Sequence, residues 1–307
     1  ESRYQAISVG RVMTCVLGMV VRREREIREF VKTPFYRILG RFAAQGHTFE
    51  GEWRATEGSR YFQSPLLYKE NGFKKREDAV TLCRILSANE PMEAVIEKLE
   101  KKKENKNPPL LFNLAELQNE CSRLFKLSPD ETLKLVQELY EKKLVTYPRT
   151  DARVLSTAVA KEISRNLSGL TYYTHAGEFA KEILEGKAYQ NLVKTRYVND
   201  KQITDHYAII PTGQGLGALK SLSAQGEKVY EVIVRRFLSI FYPPAVYQKV
   251  SVVSGIDKER FFSSFKVLVS EGYFKVTGYS FGKKKEEENQ KEEEQTADTS
   301  LLEVLQS

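Results

Sequence analysis

The sequence is poor in the residues that build metal centres and disulfide frameworks. Its 307 residues include 3 cysteines and 3 histidines. The cysteines are odd in number, far apart and without a CxxC pair, which disfavours both zinc binding and a disulfide framework. The histidines, spread from His47 to His206, are too scattered to predict a metal site. We therefore predict no metal site within this chain, a reducing cytoplasm as its compartment, and a core position for Cys121 on an apolar helical stripe.

Several common catalytic motifs are also absent. The sequence contains no G-x-x-x-x-G-K-[ST] loop, which excludes a P-loop ATPase as far as motifs can. No Asp-x-Asp pair occurs, so the acidic two-metal cluster of polymerases and nucleases has no candidate. No G-x-S-x-G pentapeptide occurs, so a nucleophile elbow with a catalytic serine has no candidate either.

Long apolar runs and targeting signals are missing as well. No apolar run approaches the length that crosses a bilayer, and no secretory signal opens the chain, so we predict no membrane association. The first residues lack a methionine, and the last stretch, Leu301 to Ser307, is apolar-rich and has no closing signal. Both ends lead us to expect an excised piece of a longer protein.

The net charge, the hydrophobic content and the length of the chain indicate its partner and its size class. The formal net charge is +7 and the sequence pI is about 9.0, which suits a polyanionic partner such as nucleic acid, although many soluble proteins are equally basic. Hydrophobic residues make up 41% of the chain, which is ample for a sizeable core. The length favours two or three compact units over one.

The hydrophobic pattern divides the chain into helical and β-rich parts. Helical spacing predicts helices over 8–30 with Ser8 as the cap, 75–100, 111–126, a further stretch from Ser128, 156–185 and 226–241. Alternation predicts β structure over 35–72 and 246–280. The densely charged run 97–107 is typical of a solvated linker, and 283–299 of an exposed loop or disorder. We predict an α+β, multidomain fold in which a helical domain is inserted into a β domain whose two segments, near 32–107 and 244–307, pair in space.

Two short helices lead into the most informative segment. Ser128-Pro129-Asp130-Glu131 is a capping box with proline at the first helical position. Together with the helix before it, this helix resembles a helix-turn-helix element. The chain then runs through Leu144-Val145-Thr146-Tyr147-Pro148-Arg149-Thr150-Asp151, which predicts a short strand ended by a turn.

Tyr147 is a candidate nucleophile. A phenol with a pKa of about 10 attacks well only when its proton is removed or its oxyanion is stabilised. Arg149 would share a face with Tyr147 in an extended segment and could hold both a phenolate and a phosphate. Pro148 would fix the direction of the ring. From local chemistry alone, a packed ring with a solvent-facing hydroxyl is the more common role of such a tyrosine.

A second candidate segment surrounds His206. In Asp205-His206-Tyr207-Ala208-Ile209-Ile210-Pro211-Thr212-Gly213 the histidine lies between a carboxylate and an apolar run. It could donate to a phosphate or transfer a proton near neutral pH. A histidine at a strand edge with no chemical role has the same local pattern.

Taken together and in order, these segments resemble those of one family. Thr146-Tyr147-Pro148-Arg149-Thr150-Asp151 resembles the active-site signature of the type IA DNA topoisomerases, and the Tyr-Pro-Arg form is closest to their topoisomerase III branch. Further similar segments are Ser8 to Val12, Pro108 to Phe112, Leu117 to Glu120, Leu139 to Glu141, His206 to Thr212 and Phe237 to Ala245. One departure is Met13, where the family usually has a glutamine.

The resemblance implies a domain organisation. Residues 1–31 would be part of the DNA-gripping domain IV, 32–107 and 244–307 the β-rich arch of domain II, and 108–243 the helical domain III with the active-site tyrosine. The family's N-terminal Toprim domain, which holds its acidic magnesium cluster, has no counterpart in this chain.

The resemblance also implies a reaction. Tyr147 would cut single-stranded DNA through a 5′-phosphotyrosine, with Arg149 orienting the phosphate and His206 contacting it, and DNA would be relaxed or decatenated without ATP. The implied DNA-binding residues are Arg11, Thr14, Thr150, Asp151 and Arg153. Mg²⁺ would be bound in the full-length enzyme by the missing Toprim domain, and the partners would be that domain and single-stranded or underwound DNA at a bacterial nucleoid. Two alternatives remain open: a non-catalytic single-stranded DNA binding module, and an interaction protein in which Tyr147 is merely packed.

Overall fold

The computed structural model describes residues 10–44, 46–88 and 92–282. The helices are α1 Arg11–Glu29, α2 Arg76–Leu86, α3 Leu114–Phe125, α4 Pro129–Glu141, α5 Thr157–Leu170, α6 Gly177–Glu185, α7 Ala224–Ser239 and α8 Phe274–Thr277, with 3₁₀ turns at Ala188–Lys194, Asp200–Gln202 and Leu216–Ser221. The strands are β1 Leu39–Ala44, β2 His47–Arg54, β3 Leu67–Lys69, β4 Gly72–Phe73, β5 Val95–Lys106, β6 Ala245–Ile256 and β7 Glu259–Ser270. The predicted α+β class is confirmed.

The strands form one large sheet and one small one. The five-stranded sheet has the order β1-β2-β7-β6-β5, and β3 and β4 make an antiparallel pair. Strands β2 and β7 are antiparallel, with Glu52 opposite Phe262 and Arg54 opposite Arg260.

The chain divides into two compact units. Unit 1 comprises Glu1–Ala43, Thr48–Glu97 and Val253–Ser263, and unit 2 comprises Ala44–His47, Lys98–Val252 and Ser264–Ser307.

Unit 1 is built around the single tryptophan of the chain. Trp53 is fully buried and stacks on Phe73 with ring centroids 5.0 Å apart. Its indole nitrogen donates to the carboxylate of Glu259, 2.7 Å away, which also accepts from Ser59 Oγ at 2.6 Å and from the backbone nitrogen of Arg60 at 3.0 Å. The buried charge of Glu259 is therefore stabilised by three donors.

Unit 2 contains the larger hydrophobic core, in which α7 is the central helix. Most of α7 is buried on every side, including the ion pair of Glu231 with Arg235. Cys121 is fully buried, so the predicted core position is confirmed, and burial followed by the nearby charge of Glu120 raises the pKa of its thiol to about 12.

Most of the predicted helices are confirmed, with shifted ends. The helix predicted over 8–30 is α1, which begins after Gly10, and Ser8 lies outside the described residues. The capping box at Ser128 is present with both of its hydrogen bonds. The helix predicted over 156–185 is two helices, α5 and α6, and the residues around Thr171 between them are not helical.

Three predictions from local pattern are wrong. The helix predicted over 75–100 ends at Leu86, and the charged run 97–107 is not a linker, because it belongs to β5. Strand β5 lies at the edge of the large sheet and exposes nearly all its side chains, a position where lysine-rich strands are common because charge prevents edge-to-edge pairing. Similarly, β structure predicted to residue 280 ends at Ser270 and is followed by α8. The loop predicted over 283–299 lies outside the described residues.

A glycine near the end of α5 allows the segment after His206 to approach. A β-carbon on Gly169 would overlap the backbone of Gly213, and Asn166 Nδ2 of the same helix donates to the carbonyl oxygen of Pro211 at 2.9 Å. We expect Gly169→Ala to lower the free energy of unfolding by about 1–3 kcal/mol, because backbone must move to admit the methyl group. Denaturation followed by far-UV circular dichroism would measure this loss. Gly217→Ala is the matched control, because a β-carbon there meets no atom within 4 Å. Equal losses of stability in the two variants would show that the close approach of Gly213 to Gly169 is not the cause.

Candidate active site

The segment that carries Tyr147 is fixed by the end of α4. Lys143, just beyond the helix, adopts a left-handed conformation with φ 62°. Its backbone nitrogen donates to the carbonyl of Tyr140 at 2.8 Å, and that of Leu144 donates to the carbonyl of Leu139 at 2.9 Å. These two hydrogen bonds make a Schellman motif, which ends the helix and turns the chain sharply toward Tyr147.

The segment that carries His206 lies beside this turn. Thr146 binds it twice, because its backbone nitrogen donates to Ile210 O at 3.0 Å and its hydroxyl donates to Ala208 O at 3.0 Å. The pairing continues as an isolated antiparallel bridge between Val145 and Pro211. The predicted strand over 144–151 is thus only a bridge, because Thr146 uses its side chain as well as its backbone to make the link.

This pairing brings the two candidate side chains together. The rings of Tyr147 and His206 lie with centroids 4.4 Å apart and planes tilted by 43°. Tyr147 is half-buried, and His206 is exposed. Thr150 completes the arrangement, since its buried hydroxyl donates to the carbonyl of His206 at 2.9 Å. Thr150 therefore holds the histidine backbone, a role that the sequence did not predict for it.

Arg149 is available to a ligand. Pro148 and Thr150 on either side of it are buried, whereas Arg149 is exposed. Its guanidinium forms no ion pair with any residue in the described part of the chain. Alternating burial therefore turns the side chains of Tyr147 and Arg149 away from the core, as expected for an extended segment.

An open cleft lies beside Tyr147. Its volume is about 500 Å³, within the range of about 300–1,000 Å³ that is usual for small-molecule sites. The residues that line it are Tyr140, Glu141, Lys143, Val145, Thr146, Tyr147, Tyr207, Thr212 and Gln214. Burial raises the pKa of the Tyr207 phenol, which makes Tyr207 a poorer source of phenolate than an ordinary tyrosine.

The other predicted DNA-binding residues are not gathered at the cleft. Arg153 donates from Nε to the carbonyl of Leu111 at 3.2 Å and pairs with Glu116 at 3.5 Å. Asp151 is exposed. Arg11 and Thr14 lie on α1 of unit 1, where every residue of the helix is exposed.

Sequence reasoning missed the residues that shape the cleft. Tyr140 and Lys143 precede Tyr147 by a helical turn or two, but only the Schellman turn brings them beside it. Glycine usually marks the residue that ends a helix in this way, and this chain has Lys143 there. The sequence therefore contains no clear signal that the chain turns at this point.

Across the described residues, no group of three or more His, Cys, Asp and Glu side chains could hold a metal ion. In the same residues, no helix is long and apolar enough to cross a membrane.

Comparison with known proteins identifies the family. The sequence profile of the DNA topoisomerase family matches residues 1–306. The chain belongs to the type IA DNA topoisomerase family. Within this family it is similar to the topoisomerase III branch: it is 33% identical to DNA topoisomerase 3 of Bacillus subtilis over 269 residues, and 34% identical to DNA topoisomerase 3 of Shouchella clausii over 268 residues.

A solved topoisomerase structure agrees with this assignment. Full-length topoisomerase I from Thermotoga maritima superposes on 92% of this chain with a TM-score of 0.59 and 26% identity, and 43% of that protein is covered. The match to the Bacillus subtilis relative includes 87% of this chain but only 34% of the relative's length. It thus spans about a third of the length of the curated topoisomerases that it matches.

The left-handed Lys143 gives a stability prediction for this topoisomerase chain. A side chain at φ 62° is strained by roughly 1 kcal/mol relative to glycine. We expect Lys143→Gly to raise the free energy of unfolding by about that amount, measured by urea denaturation. Lys143→Ala is the control, since it removes the same charge and keeps the strained β-carbon. A gain in Lys143→Ala equal to that in Lys143→Gly would show that charge, not backbone strain, is responsible.

Proposed function

We propose that this chain is the nucleophile-bearing core of a type IA topoisomerase that cuts, passes and rejoins single DNA strands without ATP. The observation that carries the proposal is the contact of the Tyr147 and His206 rings, 4.4 Å apart, at an open cleft with the exposed Arg149 close by in sequence. In transesterification of a phosphodiester, a phenol can serve as the nucleophile, an imidazole as a proton donor and a free guanidinium as the group that binds the phosphate.

The proposed step is a balanced exchange of one ester for another. The Tyr147 oxygen loses its proton to solvent water and attacks the phosphorus. A bond forms from this oxygen to the phosphorus, and the bond from the phosphorus to the 3′ oxygen of the DNA breaks. The 3′ oxygen takes up a proton and leaves as a hydroxyl, while the 5′ end stays on the protein as a phosphotyrosine. Because one phosphodiester replaces another, the reverse reaction reseals the strand without ATP.

The neighbouring residues have distinct roles in this proposal. Arg149, exposed and without an ion-pair partner in the described chain, binds the phosphate and stabilises the charge that develops on its oxygens. His206, exposed against the Tyr147 ring, donates a hydrogen bond to the same phosphate or a proton to the leaving oxygen. Thr146 and Thr150 hold these residues in place through the backbone.

The outer contacts and domains are proposed from the family. Arg11 and Thr14 of α1 would bind the DNA backbone as part of a DNA-gripping domain over 1–31. Asp151 and Arg153 would contribute near Tyr147. The arch would comprise 32–107 and 244–307, and the helical tyrosine domain 108–243.

Magnesium has no fitting site in the described residues of this chain. No group of three or more His, Cys, Asp and Glu side chains that could hold an ion is present in them, so the roles proposed above are those of this chain's own residues alone. We propose that the Toprim domain of the full-length enzyme supplies the magnesium ligands, and that the chain alone does not relax supercoiled DNA.

The test uses single-stranded DNA labelled on both sides of a cleavable site. The chain would be mixed with a separately supplied Toprim domain and Mg²⁺, and then denatured. We expect the label of the 3′ fragment, which carries the 5′ phosphate, to stay on the protein, and peptide mass analysis to find it on Tyr147. Omitting the Toprim domain is the control and should give no capture. Retention of the other fragment would overturn the proposed polarity.

A non-catalytic binding module is the second candidate function. The net charge of +7 and the aromatic cleft favour it, because both features bind single strands without cutting them. An experiment with the full-length protein distinguishes the two functions. If DNA binds to it but is never trapped covalently, the chain is a binding module and not part of a strand-cutting enzyme.

A further inference from the structure

Tyr140 is an aromatic residue that the proposed reaction does not use. It lies in the last turn of α4, whose buried side consists of Thr132, Val136 and Leu139. Its side chain is 39% exposed, and its hydroxyl hydrogen-bonds to no residue in the described parts of the chain. A core role therefore does not account for it.

The ring of Tyr140 instead meets the candidate nucleophile. The rings of Tyr140 and Tyr147 are 5.4 Å apart between centroids and nearly perpendicular, at 81°. In such an edge-to-face contact the position of one ring restricts the rotation of the other. The Schellman turn at Lys143 holds the carbonyl of Tyr140, and Thr146, the residue before Tyr147, is held by Ile210 and Ala208. These contacts restrict the backbone on both sides of the short connection between the two rings.

The cleft has the composition of a nucleotide site. Tyr140, Tyr147 and Tyr207 supply aromatic surface around about 500 Å³ of open volume. Lys143, exposed at the same cleft, supplies a positive charge. Aromatic faces that stack bases next to cations that bind the backbone are how proteins hold single strands regardless of sequence.

We propose that Tyr140 is a positioning residue that stacks one base of the single strand beside the phosphate to be cut. This inference rests on the proposed function and deepens it. Stacking holds the nucleotide so that its phosphate faces the Tyr147 oxygen. The ring and not the hydroxyl performs this role, and every base has a face to stack, so Tyr140 confers affinity and register without sequence preference.

The first test compares variants in their binding of a short single-stranded oligonucleotide to the 307-residue chain, measured by fluorescence anisotropy. We expect Tyr140→Ala to raise Kd by about 5- to 100-fold, the usual effect of losing one base–aromatic stack. Tyr140→Phe should bind as the unchanged chain does. Tyr140→Leu, which retains apolar contacts on α4, should fail like Tyr140→Ala. Tyr172→Ala is the matched control, because Tyr172 is 85% exposed and lies outside the cleft lining.

The second test removes the base instead of the ring. Oligonucleotides with one abasic nucleotide, moved along the strand, are bound to the unchanged chain and to Tyr140→Ala. At one position, loss of the base should weaken binding to the unchanged chain and have no further effect on Tyr140→Ala, because the same interaction is already absent. Losses that add at every position, or a Tyr140→Phe defect as large as that of Tyr140→Ala, would overturn the proposal.

Failure of this inference is distinguishable from failure of the proposed function. If DNA is captured on Tyr147, and the Tyr140→Ala variant binds and captures DNA as well as the unchanged protein, only the stacking role of Tyr140 is wrong. If one abasic position weakens binding only in the unchanged chain, but the full-length protein never captures DNA, the cleft binds a nucleotide and the proposed strand cleavage is wrong.

Discussion

Replacing Tyr147 with phenylalanine is expected to abolish covalent capture of DNA, leaving no labelled protein after denaturation. The variant lacks the phenol oxygen that forms the ester in the proposed reaction. The fold should be unaffected, because the Tyr147 hydroxyl makes no hydrogen bond within the described chain and the ring contacts with Tyr140 and His206 remain. Noncovalent binding of single-stranded DNA should therefore persist.

Tyr140→Phe and Tyr207→Phe are the controls for this experiment. Each removes one phenol oxygen from the same cleft, and each should still capture DNA. Tyr207 is the less able substitute nucleophile, since burial raises its pKa. Capture that survives in Tyr147→Phe and disappears in either control would move the nucleophile to that residue.

Arg235→Met is expected to cause the largest loss of stability, roughly 3–5 kcal/mol in unit 2, because it leaves a buried charge without its partner. Arg235 Nε donates to Glu231 Oε1 at 2.6 Å, and both residues are buried in α7. The remaining nitrogens donate to the carbonyl of Val276 at 3.0 Å and to that of His175 at 2.8 Å. Methionine fills a similar volume and replaces none of these donors.

The double variant Arg235→Met/Glu231→Leu tests the cause. Removing both charges should recover part of the loss, because an apolar pair does not carry an unpaired carboxylate. Recovery should be incomplete, since Glu231 also accepts from the backbone nitrogen of Ser280 at 2.7 Å and from its hydroxyl. Urea denaturation followed by helical circular dichroism would measure both variants. A double variant as unstable as Arg235→Met would show that the lost carbonyl contacts, and not the unpaired charge, dominate.

Local signals were sufficient where one segment determines its own structure. The capping box at Ser128 is formed by neighbours within one turn, so its position could be predicted to the residue. The family was recognisable from short segments in a fixed order, among them the one around Tyr147, because each segment is a run of adjacent residues that can be compared without knowing the fold.

Local sequence patterns did not predict structure that depends on pairing with a distant segment. The charged residues of β5 have no strand pattern of their own, and they form a strand because β6, far away in the sequence, offers an edge to pair with. Likewise, nothing near Tyr147 predicts that Thr146 binds both Ala208 and Ile210. The cleft beside Tyr147 depends on that pairing. The sequence therefore pointed to Tyr147, Arg149 and His206 as candidates, but it did not predict the surface around them.

The links made by Thr146 and Thr150 also bear on when the groups of the proposed reaction come together. Both hydroxyls donate to backbone carbonyls of the segment that carries His206, one on each side of the Tyr147–Pro148–Arg149 step. The phenol and the imidazole are thus preorganised by folding, before any strand arrives. The entropy lost in bringing them together is part of the folding free energy, so in the proposed reaction it is not subtracted again each time a DNA strand enters.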